Sequence, residues 1–177
     1  MIVLLWLPIF FGLLTAEEPW PYLEKNFLEL QKTKADTSHT FSTWQGLEVD
    51  KCASAWLIKR FVDKEAVFKF FPKGDVIHEG RAFDTPDADL RRYQSLSTYE
   101  SILKKFQIKD PAAVQIGKIV HDIELEYWNK PAEKLVREVK VTIKEILRAA
   151  NDNHEALEKS FVYFDELYKG LKAESAK

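Results

Sequence analysis

This sequence has one cysteine, no glycine-rich motif and a small net charge, and each of these features argues against a class of protein. With one cysteine, Cys52, the 177-residue chain can form neither an internal disulfide nor a Cys-x-x-Cys metal or redox motif. Its six glycines form no phosphate-binding loop or dinucleotide-binding fingerprint, and there is no Ser-His-Asp order. A formal charge of −2, with acidic and basic residues interleaved, argues against a nucleic-acid partner, which usually needs a basic surface. We expect Cys52 to be a buried, structural residue.

The apolar residues at the start of the chain predict export. Residues 1–16 carry no charged side chain, and residues 2–14 are almost wholly apolar. That run is shorter than the roughly 20 residues that a membrane-spanning helix needs, and the small residue Ala16 precedes two glutamates. We therefore predict a signal peptide over residues 1–16 and a periplasmic or otherwise exported protein with no membrane span once the signal is removed. An uncleaved N-terminal anchor is the alternative.

The rest of the chain has the length of one domain with a substantial core. We predict an N-terminal extension and linker over residues 17–43, a folded domain over 44–172 and a tail over 173–177. Asp50 is predicted to be the N-cap of a helix. The apolar residues that follow it at helical spacing are Ala53, Trp56, Leu57 and Phe61.

The remaining segments predict an α+β fold that is mainly helical and has a small β-sheet of about two to four strands. Alternation predicts one strand over residues 66–71, and a second is expected over 76–83. A capping box at residues 97–100 and the pair Asp110-Pro111 each begin a helix, the second of which is interrupted near residues 129–131. Amphipathic helices are predicted over residues 132–150 and 154–171 as an antiparallel pair.

Four short blocks carry a family resemblance. They are Val-Asp-Lys-x-Ala-x-x-Trp-Leu-Ile-Lys-Arg-Phe from Val49, Phe-Asp-Thr-Pro from Phe83, Ile-Val-His-Asp-Ile-Glu-Leu from Ile119, and Phe-Asp-Glu-Leu-Tyr from Phe164. In this order and over roughly residues 44–172, the blocks resemble the C-terminal domain of the chromate-resistance protein ChrB family. The resemblance implies a chromate-like oxyanion as the partner. Regulators of that family carry an additional N-terminal DNA-binding region, and we expect none in residues 1–43.

Several cations could hold such an oxyanion. Lys51 stands next to a predicted helix start, where backbone N–H groups favour an anion, and Arg91-Arg92 follows a predicted turn. Arginine forks suit tetrahedral oxyanions. The predicted oxyanion-binding residues are Lys51, Arg60, Arg91 and Arg92. The alternative interpretation is a solvated, charged turn.

A second constellation could hold a divalent metal ion. His121 and Glu124 stand three residues apart, so a helix presents them on one face. Imidazole and carboxylate groups are common metal ligands, and Asp84 and Asp50 are the predicted further ligands. A metal-dependent enzyme that uses His121, Glu124 and Asp84 as ligands and Asp50 as acid or base is therefore a second hypothesis. The plain alternative is a hydrogen-bonded histidine beside a solvated glutamate.

Comparison with the family that the chain resembles argues against one kind of metal site in this chain. Many ChrB-type sequences have a cysteine at the position of Ser54, and histidine and cysteine near the positions of Arg92 and Ser97. With His121 those residues would form a thiolate and imidazole set, which this chain lacks. We therefore expect no zinc-type thiolate site. A third hypothesis is a structural or partner-binding envelope protein that binds neither metal nor oxyanion.

Overall fold

The computed structural model of the chain describes residues 39–125 and 134–175. The predicted signal peptide, most of the predicted extension and the predicted helix break at residues 129–131 lie outside the described residues. Within them, none of the helices combines the length and apolar character that crossing a membrane requires.

A small parallel sheet forms one part of the fold. Its central strand β1 (Thr40–Trp44) pairs with β2 (Val67–Phe71) on one side and with the two-residue strand β3 (Arg81–Ala82) on the other. The sequence predicts β2 almost as observed, but it does not predict β1, which begins inside the segment assigned to the linker. The expectation of a strand over residues 76–83 is wrong except at β3.

The loop before β3 explains why that strand is so short. Val76 is 82 % exposed, so the segment has no apolar face against the core. Gly80 adopts φ +72°, and a Cβ there would lie 2.6 Å from the backbone oxygen of Thr40. Only glycine fits this close approach without strain, and regular pairing therefore starts after it.

Five α-helices account for most of the described residues and confirm the mainly helical α+β prediction. They are α1 (Val49–Leu57), α2 (Thr98–Lys105), α3 (Pro111–Glu124), α4 (Lys134–Ala149) and α5 (Asn153–Ser175). Two predicted starts are confirmed. Ser97 and Glu100 form the capping box of α2, and Asp110 caps α3 with Pro111 in its first turn.

Helix α1 lies at the centre of the core, and a π-helical turn (Ile58–Val62) continues it. All nine residues of α1 are buried, including Cys52 and three members of the predicted apolar stripe, whereas the fourth, Phe61, is partly buried in the π-helical turn. Burial raises the pKa of the Cys52 thiol to about 12, which keeps it protonated and unreactive at neutral pH. The structural assignment of Cys52 is confirmed.

The prediction that Asp50 caps α1 is wrong. The N-cap is Glu48, whose side chain makes no capping hydrogen bond. Asp50 lies inside the first turn and is 1 % exposed. A carboxylate in this position needs hydrogen-bond donors from another element, because burying an unpaired charge is very costly.

Candidate functional site

The donors for Asp50 come from the start of α2. Oδ2 of Asp50 accepts a hydrogen bond from the backbone N–H of Thr98 at 2.7 Å, and Oδ1 of Asp50 accepts one from the N–H of Tyr99 at 2.9 Å. The Ser54 hydroxyl also donates to Oδ1, at 3.2 Å. The first N–H groups of a helix have no partner within the helix and carry partial positive charge. Asp50 therefore belongs to α1 and satisfies the N-terminus of α2.

Thr98 links Asp50 to a second carboxylate. Its hydroxyl donates to Oδ1 of Asp84 at 2.6 Å. Asp84 has φ 51°, a left-handed conformation that is uncommon outside glycine, although aspartate adopts it more readily than most residues. Such conformations persist where the surrounding structure imposes them, and they concentrate at functional sites.

Lys51 supplies the cation beside Asp84. Its ammonium lies 3.7 Å from Oδ2 of Asp84 and donates to the backbone oxygens of Trp44 and Gly46, each at 3.1 Å. Lys51 is only 6 % exposed, which the amphipathic pattern of its helix did not indicate. Two carbonyl oxygens accept hydrogen bonds from the ammonium and the Asp84 carboxylate lies beside it, so a buried positive charge is held at the C-terminal end of β1.

The two buried carboxyl groups hold protons more tightly than usual. Burial, followed by the charge of Asp84, raises the pKa of Asp50 from 3.8 to about 7, although the N–H groups of Tyr99 and Thr98 act in the opposite direction. Burial is also the main reason that the pKa of Asp84 is raised, against the hydroxyl of Thr98 and the charge of Lys51. This pair therefore changes its charge at higher pH than exposed carboxylates do.

We predict that the free energy of unfolding falls as the pH rises from about 4 to about 7. A carboxyl group whose pKa is higher in the folded state stabilises the fold below its unfolded pKa and loses that contribution as the pH rises through its folded pKa. For Asp50, the difference between 3.8 and about 7 corresponds to at most about 4 kcal/mol. Asp84 acts in the same direction. Urea unfolding at a series of pH values between 4 and 8 measures the slope.

The matched variant for this prediction is Asp50→Asn, which removes one of the two titrating groups and should show a flatter profile over the same range. Asp63, Asp89 and Asp165, whose pKa values are lowered, lose their contribution only as the pH falls below about 4, so they act outside this window. An unchanged slope in Asp50→Asn would show that Asp50 does not cause it.

His121 and Glu124 lie on one helix, as predicted, but they contact different partners. Glu124 Oε2 accepts a hydrogen bond from Nη2 of Arg92 at 2.8 Å. Nδ1 of His121 lies 2.9 Å from Oε2 of Glu100, and that same oxygen accepts the N–H of Ser97 in the capping box. The predicted histidine–glutamate pair therefore connects α3 to two separate elements.

The predicted metal ligands His121, Glu124, Asp84 and Asp50 do not come together in one coordination group. Within residues 39–125 and 134–175, no three His, Cys, Asp or Glu side chains are placed to hold a metal ion. In this conformation the four side chains therefore do not form one coordination group. Asp50 instead accepts hydrogen bonds from Thr98 and Tyr99. Asp84 accepts one from Thr98 and forms an ion pair with Lys51.

Three of the four predicted oxyanion residues line a single cavity of about 450 Å³. Its wall consists of Trp44, Gln45, Gly46, Glu48, Lys51, Lys73, Asp84, Thr85, Pro86, Arg91, Arg92 and Tyr93. Lys51, Arg91 and Arg92 were predicted from sequence. Lys73 was not, because it lies in a turn with no motif.

Arg60 is the predicted residue that lies elsewhere. Its Nε and Nη2 donate to the two carboxylate oxygens of Asp165 on α5, at 2.8 and 2.7 Å, and its guanidinium lies 5.7 Å from the ring of Phe161. Arg60 does not line the cavity. A bidentate pair of this kind joins the π-helical turn to α5, which is a role in the fold.

Comparison with known proteins gives a match to one family. The family model described as ChrB, C-terminal domain, matches residues 41–171, which is most of the chain. No curated protein and no solved structure matches. The matched residues contain all four sequence blocks. The first block contacts two of the others: Lys51 lies 3.7 Å from Asp84 of the second, and Asp165 of the fourth accepts hydrogen bonds from both Trp56 and Arg60.

Proposed function

Because the chain belongs to the ChrB C-terminal domain family, which links it to chromate resistance, we propose that it binds a small tetrahedral oxyanion of the chromate class. The site would be the cavity beside Lys51, Arg91 and Arg92. One observation carries the proposal: four cations, Lys51, Lys73, Arg91 and Arg92, line that cavity together with only two carboxylates, Glu48 and Asp84.

The cations differ in what they can offer a ligand. Lys51 donates two of its three N–H bonds to carbonyl oxygens and lies beside Asp84, so it contributes mainly a fixed positive charge in a region of low dielectric. Arg91 donates to the backbone oxygen of Pro86, and Arg92 donates to Glu124. A guanidinium has five N–H bonds, so both arginines keep donors for the oxygens of an anion.

We expect Arg91→Glu and Arg92→Glu each to weaken oxyanion binding at least tenfold. A hydrogen bond to a charged group contributes about 1.5–3 kcal/mol, and reversing the charge adds repulsion. Isothermal titration of the full chain with chromate, sulfate and phosphate, at one pH and one low ionic strength, measures the affinities. A thermal-shift series with the same salts detects stabilisation by binding.

Arg148→Glu is the matched control. Arg148 lies in the last turn of α4, is exposed and does not line the cavity. The same substitution there should leave affinity unchanged. Wild-type affinity in both Arg91→Glu and Arg92→Glu would exclude this cavity as the oxyanion site, and an absence of binding by the wild type would exclude the function itself.

The location of the activity is part of the proposal. The support is the uncharged, apolar run in residues 1–16. Expression of the full chain in a bacterium, followed by fractionation and intact-mass measurement, tests it. A periplasmic protein that lacks about the first sixteen residues is expected. A full-length protein in the membrane fraction would favour the uncleaved anchor.

Metal binding stays a prediction, with His121 and Glu124 as its starting point. In the described residues these two side chains would need further ligands that the present conformation does not bring near them. Elemental analysis of protein purified without a metal-affinity tag measures any bound metal. A stoichiometric divalent ion that is lost in His121→Ala would replace the oxyanion proposal with the metal-dependent one.

A further inference from the structure

The size of the cavity points beyond a bare oxyanion. Its volume of about 450 Å³ falls within the range of about 300–1,000 Å³ that is usual for small-molecule sites. A water molecule occupies roughly 30 Å³ of liquid, so a five-atom tetrahedral ion would leave most of the cavity filled with water. A ligand with a larger body would displace that water and bury apolar surface as well.

The wall of the cavity includes aromatic and apolar side chains against which a larger ligand can pack. Tyr93 is 47 % exposed, and Trp44 and Pro86 also line the cavity. The indole N–H of Trp44 donates to the backbone oxygen of Asp75 at 2.8 Å, which fixes the position of its ring. Aromatic rings pack well against planar groups.

The cationic and aromatic parts are adjacent. The guanidinium carbon of Arg91 lies 5.3 Å from the centre of the Tyr93 ring. A ligand that contacts both must therefore carry its anionic group close to its planar body, as in a phosphate or sulfate ester.

The two carboxylates distinguish this ligand from a bare dianion. Glu48 and Asp84 line the same cavity as hydrogen-bond acceptors, for which a fully deprotonated oxyanion has no donor. Asp84 is engaged with Thr98 and Lys51, whereas the side chain of Glu48 makes no capping hydrogen bond in its own helix. Glu48 can therefore accept hydrogen bonds from a hydroxyl or amino group on a ligand.

From this arrangement we infer that the cavity binds a phosphate or sulfate monoester of a small planar molecule that also carries hydrogen-bond donors. The oxyanion group lies at Arg91 and Arg92, the planar body packs against Tyr93, and the donors face Glu48. The inference rests on the proposed function, since the same arginines hold the anionic group. It goes further because it assigns the rest of the cavity to an organic body.

Titration of the full chain with inorganic phosphate and with phenyl phosphate tests the aromatic part. Phenyl phosphate is expected to bind the wild type at least tenfold more tightly than phosphate, because its ring buries apolar surface against Tyr93. Tyr93→Ala should abolish that difference. Val76→Ala is the matched control, since Val76 is 82 % exposed and does not line the cavity.

The outcomes separate this inference from the function on which it rests. Phosphate binding without any preference for phenyl phosphate would overturn the inference and leave the oxyanion site in place. Binding of neither probe would overturn both. A preference for phenyl phosphate that survives in Tyr93→Ala would also overturn the inference, because it would place the ring elsewhere.

Glu48→Gln tests the hydrogen-bond donors. Adenosine 5′-monophosphate carries a planar base, hydroxyl groups and an amino group, whereas phenyl phosphate has no donor beyond its phosphate. We expect Glu48→Gln to bind phosphate a few-fold more tightly, because one repelling charge is removed. The affinity for adenosine 5′-monophosphate relative to phenyl phosphate should fall. An unchanged ratio would contradict the role of Glu48.

Discussion

Asp50→Ala is expected to lower the free energy of unfolding at pH 7 by about 3–5 kcal/mol. The substitution removes the acceptor for the N–H groups of Thr98 and Tyr99 and for the hydroxyl of Ser54, in a region where all four residues are buried. Each buried donor left without a partner costs about 1–3 kcal/mol, and partial relaxation reduces the sum. Urea unfolding of the full chain, monitored by circular dichroism, measures the loss.

Two further variants separate the lost hydrogen bonds from other effects. Asp50→Asn keeps one oxygen acceptor and nearly the same shape, so we expect about half the loss of Asp50→Ala. Asp87→Ala makes the same change at an exposed aspartate in the turn after Asp84, where little change is expected. A loss below about 1 kcal/mol in Asp50→Ala would mean that water or another group satisfies the start of α2.

The position of Asp50 also ties stability to the candidate site. The Thr98 hydroxyl that binds Asp84 belongs to the residue whose N–H binds Asp50, and Asp84 lies beside Lys51 in the cavity wall. Loosening the start of α2 would therefore free Asp84 and change the electrostatic potential in the cavity. We expect the Asp50 variants to lose oxyanion affinity even though Asp50 itself does not line the cavity.

The local features of the fold were predictable from sequence because their causes are local. The capping box at Ser97 and Glu100 and the Asp110-Pro111 start satisfy backbone groups within one turn, and spacing alone reveals them. Strand β2 was predicted for a similar reason. Strand β1 was not, because its central residues Ser42 and Thr43 are polar yet fully buried, so no alternation marks it.

The candidate site shows where sequence reasoning stops. Arg91, Arg92 and Lys51 were grouped by their charge and line one cavity, but Arg60 has the same charge and lies against Asp165, more than a hundred positions away in sequence. Asp50 looked like a cap because aspartate before an apolar stripe usually is one. Its true donors lie 48 and 49 positions along the chain. Such partners are fixed by tertiary packing and leave no local signal.

Trp56→Ala is expected to destabilise the protein by about 3–5 kcal/mol, a loss comparable to that of Asp50→Ala. Trp56 is 1 % exposed. The centre of its ring lies within 6.0 Å of the ring centres of Phe61, Phe164 and Tyr168. Removing a buried aromatic side chain loses both its transfer free energy and its packing, and leaves a cavity that the surroundings fill only in part. Thermal and urea unfolding of the full chain measure the effect.

Trp56→Phe separates packing from hydrogen bonding at this position. It keeps an aromatic ring but removes the N–H that donates to Asp165 at 2.8 Å, so a smaller loss of about 1–2 kcal/mol is expected. Trp44→Phe is the matched control, because it removes an indole hydrogen bond of the same length, donated to the backbone oxygen of Asp75 at an exposed site. Equal losses in these two phenylalanine variants would show that burial adds nothing to the Trp56–Asp165 bond. A larger loss at Trp56 would identify that bond as the polar link that fixes α1 against α5, with Arg60 completing the pairing of Asp165.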